Sequence, residues 1–277
     1  MSKFINWIYT SPLRLWLRKS GFINIFCLGG KIQTWLMYLE YNRKKPTSVI
    51  AKVGEFSSLL LISNKSEYVR ALSVNNDKHL INKIVDSINP GELFWDIGAN
   101  IGLYTTLVAK AVGKTGKVIA FEPEKRAYKR LLENIASNEL LNVSAYNTAL
   151  GSDNKKMKLH VSKEFSSGTH SLIESSESRD CDEVNVFKGD DFIVKENLQV
   201  PTVIKIDVEG AEYDVLLGMN QILASRKCRV VICEVHFSIL ASCNKNHVPS
   251  AIVNDLKSYG FTQVQWLDHS HLLACRE

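Results

Sequence analysis

The sequence contains no Cys-x-x-Cys pair and no cysteines at metal-ligand spacing: its six, at positions 27, 181, 228, 233, 243 and 275, are scattered through 277 residues. Cys233 lies inside the apolar run RVVICEVHF. These read as reduced thiols in a reducing, cytoplasmic setting, which excludes a disulfide framework. Gly-x-Gly-x-x-Gly and Gly-Lys-Ser/Thr are also missing, so neither a dinucleotide fingerprint nor a P-loop phosphate cradle is indicated. No long apolar run is uninterrupted. GFINIFCLGGKIQTWLMYL is broken by Asn24, Gly29, Gly30, Lys31 and Gln33, and a charge at mid-span argues against a membrane crossing. FINWIY is too short for the core of a cleavable signal, and no small-residue cleavage site follows it.

What is present is 45% hydrophobic and 23% charged, ordinary for a globular protein, with a net charge of +5 placed unevenly. Residues 1–48 carry Lys3, Arg14, Arg18, Lys19, Lys31, Arg43, Lys44 and Lys45 against Glu40 alone, an excess of seven that leaves the remainder at minus two. Trp7, Trp16 and Trp35 are in the same segment. Leu13, Trp16 and Leu17 make one apolar helical face; Ile32, Trp35, Leu36 and Leu39 make another. Residues 1–48 therefore read as a basic, aromatic helical segment. It either caps the main domain or touches an anionic membrane surface, where basic residues beside Trp and Leu suit the headgroup boundary.

From Val49 to residue 277 the pattern is regular. SVIAKV and SSLLLIS flank a turn at Gly54, and NDKHLINKIVDSI has helical spacing up to the turn Asn89-Pro90-Gly91. Strand and helix then alternate: ELFWDIG, LYTTLVAKAV, KVIAFEP, KRAYKRLLENIASN and NVSAYNTAL, then TVIKIDV, AEYDVLLGM, RVVICEV and PSAIVNDLKSYG. This predicts a mostly parallel sheet with helices on both faces. TQVQWL and HLLACRE, joined across Asp268-His269-Ser270, predict a closing hairpin with an antiparallel strand. Residues 162–183, rich in Ser and acids, read as a mobile lid. His170 within it reads as a solvated side chain or a substrate contact. Asp190 and Asp191 read as caps of the helix they open.

In such sheets ligands bind beyond the carboxyl ends of the strands. The first end is Asp96-Ile97-Gly98-Ala99-Asn100-Ile101-Gly102. An acid there suits an ammonium group rather than a phosphate, and Gly98 and Gly102 permit close backbone approach. Glu122 ends the next strand and can accept both hydroxyl protons of a ribose. S-adenosylmethionine offers those groups in that order. Asn147, Thr148 and Ala149 are candidates for its adenine edge.

DIGANIG, FEPE, NTALG and IKIDVEGAE, with EVH on the following strand, resemble the FkbM-type S-adenosylmethionine-dependent methyltransferases over residues 75–275. The resemblance implies the class I methyltransferase fold: a Rossmann-like, seven-stranded, mostly parallel α/β sheet with one antiparallel strand. It also implies an acceptor hydroxyl on a sugar, glycan or secondary metabolite. Some sugar O-methyltransferases of related fold use a divalent metal.

An alcohol acceptor needs a base close to the methyl group. Asp207 and Glu209 alternate in IDVEG, as do Glu234 and His236 in CEVH, so in strands each pair points to one side. His236, with a free pKa near neutrality, is read as the base. Asp207 is the alternate and an additional cofactor contact, with Glu209 beside them. The same residues, Asp207, Glu209, Glu234 and His236, would suit Mg²⁺ or Mn²⁺, although no metal is expected. There is no Asn-Pro-Pro-aromatic segment for gripping a planar amine and no Pro-Cys pair for attack on a pyrimidine. The region after residue 48 is not basic, so nucleic acid is not the expected partner. The expectation is therefore an O-methyltransferase acting on a saccharide or other small molecule. Two alternatives stay open: a non-catalytic cofactor-binding partner protein, and an RNA or protein methyltransferase docking through the basic N-terminus.

Overall fold

Glycine at 29 and 30 does not break the first helix, but proline at 46 bounds it. In the computed structural model, which describes residues 24–161, 170–171 and 181–276, helix α1 runs Asn24–Lys44. Lys45 then turns left-handed at φ 42°, with its N–H donating back to the Tyr41 carbonyl at 2.7 Å. Trp35 and Leu39 on α1 are exposed. Among the described residues no helix is long and apolar enough to cross a membrane. The chain divides into two compact units, Met1–Pro46 and Thr47–Glu277, and the strands and helices after α1 all belong to the second.

Strands β1 (Ser48–Val53) and β2 (Phe56–Leu61) pair antiparallel around Gly54, whose φ of 57° suits the turn. Helix α2 (Lys65–Leu72) is capped by Asn64, which accepts from the Glu67 N–H, and α3 (Val74–Ser87) stops before the Pro90-Gly91 turn. Strand β3 (Leu93–Ile97) is buried along its whole length, as expected of a strand covered on both faces. It is followed by α4 (Leu103–Ala111), β4 (Lys117–Phe121), α5 (Lys125–Ser137) and β5 (Val143–Tyr146). NVSAYNTAL does not continue as one strand: β6 (Ala149–Leu150) leaves the main sheet. It joins β7 (Lys155–Val161), β8 (His170–Ser171) and β9 (Cys181–Phe187) in a second sheet of order β6-β9-β7-β8, which the sequence pattern did not announce. Most of the expected lid lies outside the described residues, but its last part is strand: Cys181, Asp182 and Glu183 pair with His160, Leu159 and Lys158.

Helix α6 (Gly189–Lys195) leads to β10 (Val203–Ile206), α7 (Glu212–Leu217), α8 (Asn220–Ala224), β11 (Val230–Glu234), α9 (Phe237–Ser242) and α10 (Val248–Ser258). The hairpin β12 (Gln263–Trp266) and β13 (His271–Cys275) closes the main sheet. Its order is β12-β13-β11-β10-β3-β4-β5, seven strands, with β13 alone running against both neighbours. This is the class I methyltransferase sheet with its reversed strand. The chain starts mid-sheet at β3, steps out to β5, then returns to the other side of β3 as β10. The carboxyl ends of β3 and β10 consequently flank a switch point, the usual position for a ligand.

Apolar residues of both faces build the core. Trp95 and Phe121 meet edge to face at 5.0 Å, and Phe192 of α6 joins Phe121 at 5.2 Å, tying the segment after the second sheet to the first. Asp190 does not cap its own helix; its carboxylate accepts from the backbone N–H groups of Gln221 and Ile222 at the start of α8. Asp191 instead accepts from the Asn154 amide. The reason is geometric, since α6 and α8 lie side by side and Asp190 faces the neighbour's free donors.

Candidate active site

The turn after β3 is built for closeness. Gly98 has φ 83°, and a Cβ placed there would sit 1.8 Å from the Asp207 carbonyl oxygen. A Cβ on Gly102, which has φ 89° and caps α4, would meet Leu131 at 2.6 Å. Glycine is thus required by the approach of β10 and α5 themselves. Asn100, at φ 51°, presents its N–H to Glu122 Oε2 at 2.7 Å, while Glu122 Oε1 accepts from the Glu124 N–H at 2.8 Å. Burial pushes the Glu122 carboxyl up to about 7 against these two donors.

Between the turn and β10 opens a cleft of about 600 Å³, including its mouth. Gly98, Asn100, Glu122, Thr148, Ala149, Asp207 and Glu209 all line it, together with Phe121, Leu150 and Leu159 as apolar walls. Three expected cofactor contacts stand back from it. Asp96 is fully buried; its Oδ2 accepts from the Thr105 hydroxyl at 2.6 Å and its Oδ1 lies 3.6 Å from Lys205 Nζ. Asp96 thus faces the interior cation Lys205 and the Thr105 hydroxyl, and does not line the cleft. Asn147 donates to the carbonyls of Glu122 and Pro123, bracing the end of β4. Gly102 serves the packing against Leu131. The Thr148 hydroxyl is spent on the Asn185 carbonyl at 2.7 Å, leaving its backbone and methyl to the cleft.

On the β10 side the polar groups converge, although not by strand alternation. β10 ends at Ile206, so Asp207 and Glu209 stand on the turn beyond it, with Glu209 at φ 52° and Gly210 at φ 96°. A glutamate in the left-handed region is uncommon, and such strain concentrates at functional sites. His236 opens α9. Its Nδ1 donates to Glu212 Oε1 at 2.6 Å, and its Nε2 lies 3.1 Å from Glu209 Oε2 and 3.8 Å from Asp207 Oδ1. Glu212 is itself buried and accepts from the Gly210 N–H, so the turn and the imidazole share one anchor.

These contacts set the surroundings of His236, the residue expected as the base. Burial lowers its pKa, but the bond to Glu212 and the charges of Glu209, Glu212 and Asp207 outweigh that and raise it to about 9. The direction favours the charged form of the ring. Burial pushes Glu209 up to about 7 despite His236. Asp207 behaves oppositely: burial opposes its ionisation, but Lys205 at 3.3 Å and Arg70 at 3.1 Å hold the carboxylate far below its usual range. Neighbouring acids with opposed shifts make this a candidate for proton handling.

Asp207, Glu209 and His236 do bring one ligand atom each within 4.8 Å of one another. Glu234 stands outside this triad, 4.0 Å from His236 and 3.4 Å from His271. Asp207 already faces two cations, so a divalent ion would arrive as a third positive charge, and the donor set does not favour one. Three members of the site escaped the sequence reading. A lysine inside the apolar run VIKIDV was a signal for Lys205, and the acid three residues after Glu209 for Glu212; nothing in YVRAL marked Arg70.

Residues 96–262, more than half of the chain, match the family model of the methyltransferase FkbM domain. The chain belongs to the FkbM methyltransferase family. It is 25% identical over 209 residues to the hexuronic acid methyltransferase AglP of Haloferax volcanii, covering 76% of this chain and 82% of that protein. It is 26% identical over 143 residues to methyltransferase 1 of Beauveria bassiana, covering 45% and 57% respectively. An FkbM methyltransferase structure from Methylobacillus flagellatus superposes with a TM-score of 0.48 at 16% identity, over 78% of this chain and 56% of that one. This FkbM protein is thus a methyltransferase by family.

Proposed function

We propose that this protein transfers a methyl group from S-adenosylmethionine to a hydroxyl of a sugar or related polar acceptor. The observation that carries the reading is the division of one cleft into two chemistries, an apolar slot ending in Glu122 and a pair of acids, Asp207 and Glu209, the latter backed by His236. The slot fits the cofactor. Phe121, Leu150 and Leu159 suit an adenine, Glu122 a ribose diol, and the backbone near Gly98 with Asp207 a cationic amino-acid tail whose carboxylate Arg70 would meet. When bound, the cofactor supplies an electrophilic methyl group on a sulfonium.

The chain's own residues handle the acceptor proton. Glu209 Oε2 takes the hydroxyl hydrogen as the acceptor oxygen becomes the nucleophile. His236, tied through Nδ1–H to Glu212, turns Nε2 toward Glu209 and in its protonated form donates Nε2–H there, stabilising the ionised form of that carboxylate. Asp207, kept charged by Lys205 and Arg70, orients rather than accepts. The saccharide acceptor is supported by AglP, whose name gives a hexuronic acid as its substrate, and by the remainder beyond residue 48, whose slight negative charge offers nucleic acid no track. Residues 1–48, with their seven excess positive charges, would add contact with an anionic surface, as for lipid-linked acceptors.

Calorimetry with S-adenosylmethionine and its demethylated product, with and without EDTA, tests the cofactor, and a screen of neutral and uronic sugars tests the acceptor. Binding unaffected by EDTA and lost in Glu122→Ala is expected. No affinity in the parent protein for either compound would overturn the reading.

A further inference from the structure

The carboxyl edge of the main sheet carries an aromatic pair that the proposed reaction does not use. Phe237 directly follows His236, and Trp266 is the last residue of β12. Their rings lie 5.3 Å apart at 48°, and both side chains are about two-fifths exposed, at 43% and 40%. Because β11 and β12 each pair antiparallel with β13, they run the same way, and Trp266 leaves the sheet on the edge that bears Glu234 and His236. The rings border an open recess of about 600 Å³, completed by Pro249, Ser250, Val253 and Asn254 of α10. Between this recess and Glu209 the edge is polar: Glu234 contacts His271, whose Nδ1 is 2.8 Å from Asp268 Oδ2.

A contiguous exposed aromatic pair rimmed by polar residues is the mark of an interaction site. A pyranose suits what is there. Its C–H faces lie on aromatic rings, and its hydroxyls match the Ser250 hydroxyl and the Asn254 amide. A hydrocarbon chain would strand those polar groups. Strand spacing sets the scale: β12 is three strands from β10, whose following turn carries Glu209, roughly 14 Å, a span for an oligosaccharide rather than one ring.

We infer that Phe237 and Trp266 form a platform for a sugar ring beyond the one methylated, so the acceptor is an oligosaccharide rather than a monosaccharide. The inference rests on the proposed saccharide O-methyltransferase activity. Saturation-transfer NMR on the full chain tests it, with a glucuronic acid methyl glycoside and an oligoglucuronate trisaccharide as probes, beside calorimetry with S-adenosylmethionine. The trisaccharide should bind the parent at least about tenfold more tightly than the glycoside, an advantage lost in Phe237→Ala/Trp266→Ala and kept in Trp266→Phe. Cofactor affinity should survive in all variants. A double variant that binds the trisaccharide like the parent overturns the platform, as does a parent that binds the cofactor but prefers neither saccharide. Failure of cofactor binding alone sinks the methyltransferase reading instead, and the saccharide arm still reports on the platform.

Discussion

Glu209 and Lys205 show how much one side chain decides here. With Glu209 pushed up to about 7, turnover at saturating cofactor should rise as pH passes through 7, because only the ionised carboxylate accepts a proton. Glu209→Gln should lower kcat by about 10²–10⁴-fold and flatten that limb, which a pH–rate series would show. Lys205 is 3% exposed and sits between Asp96, Asp207 and the Tyr104 ring, 4.5 Å away. Lys205→Met leaves two buried carboxylates short of a counter-ion and should cost about 3–5 kcal/mol in urea unfolding at neutral pH. At this scale the sequence was half legible. Acids at strand ends pointed to one cleft, yet which of them line it was hidden, because Asp96 lies inward against Lys205, and three carboxylates surround His236. Such shifts come from residues far apart in the chain, and spacing carries no record of them.

Elements were easier to read than side chains. Periodicity located the strands of the main sheet and the helices between them, since a sheet covered on both faces must repeat apolar runs. It failed where residues switch sheets, at Asn147 between β5 and β6, because short strands of a second sheet have no period of their own. The turn between β3 and α4 depends on Gly98. Gly98→Ala places a methyl group into the Asp207 carbonyl and forces a non-glycine residue to φ 83°. Backbone strain alone costs about 1–3 kcal/mol, and the displaced Asp207 turn should weaken cofactor binding as well, so melting temperature and calorimetry should fall together. The contact between α7 and α9 through Glu212 and His236 gives stability its own pH dependence. His236 has a folded pKa of about 9 against 6.5 unfolded, so its contribution is full below 6.5 and lost as pH rises through 9. Denaturation midpoints should drop between pH 7 and 9 in the parent and less in His236→Gln. His271, also raised by Glu234 and Asp268, acts in the same direction.

For the whole molecule, the division at Pro46 and Thr47 separates charge as well as structure. A protein lacking residues 1–46 should keep cofactor affinity while losing partition onto vesicles of anionic lipid, and salt should weaken the parent's partition. Unchanged partition on truncation would remove the surface role. The overall architecture was the most legible feature of all, since alternating strand and helix with a terminal hairpin admits few topologies. The reversed position of β13 also has a consequence during synthesis. Once Glu234 is made, the outer rim of β11 has no partner until translation reaches Cys275, roughly 2–8 s later at ordinary elongation rates. For that interval the nascent chain exposes an apolar, unpaired border of the kind that recruits foreign strands, so its dependence on chaperones should be concentrated there.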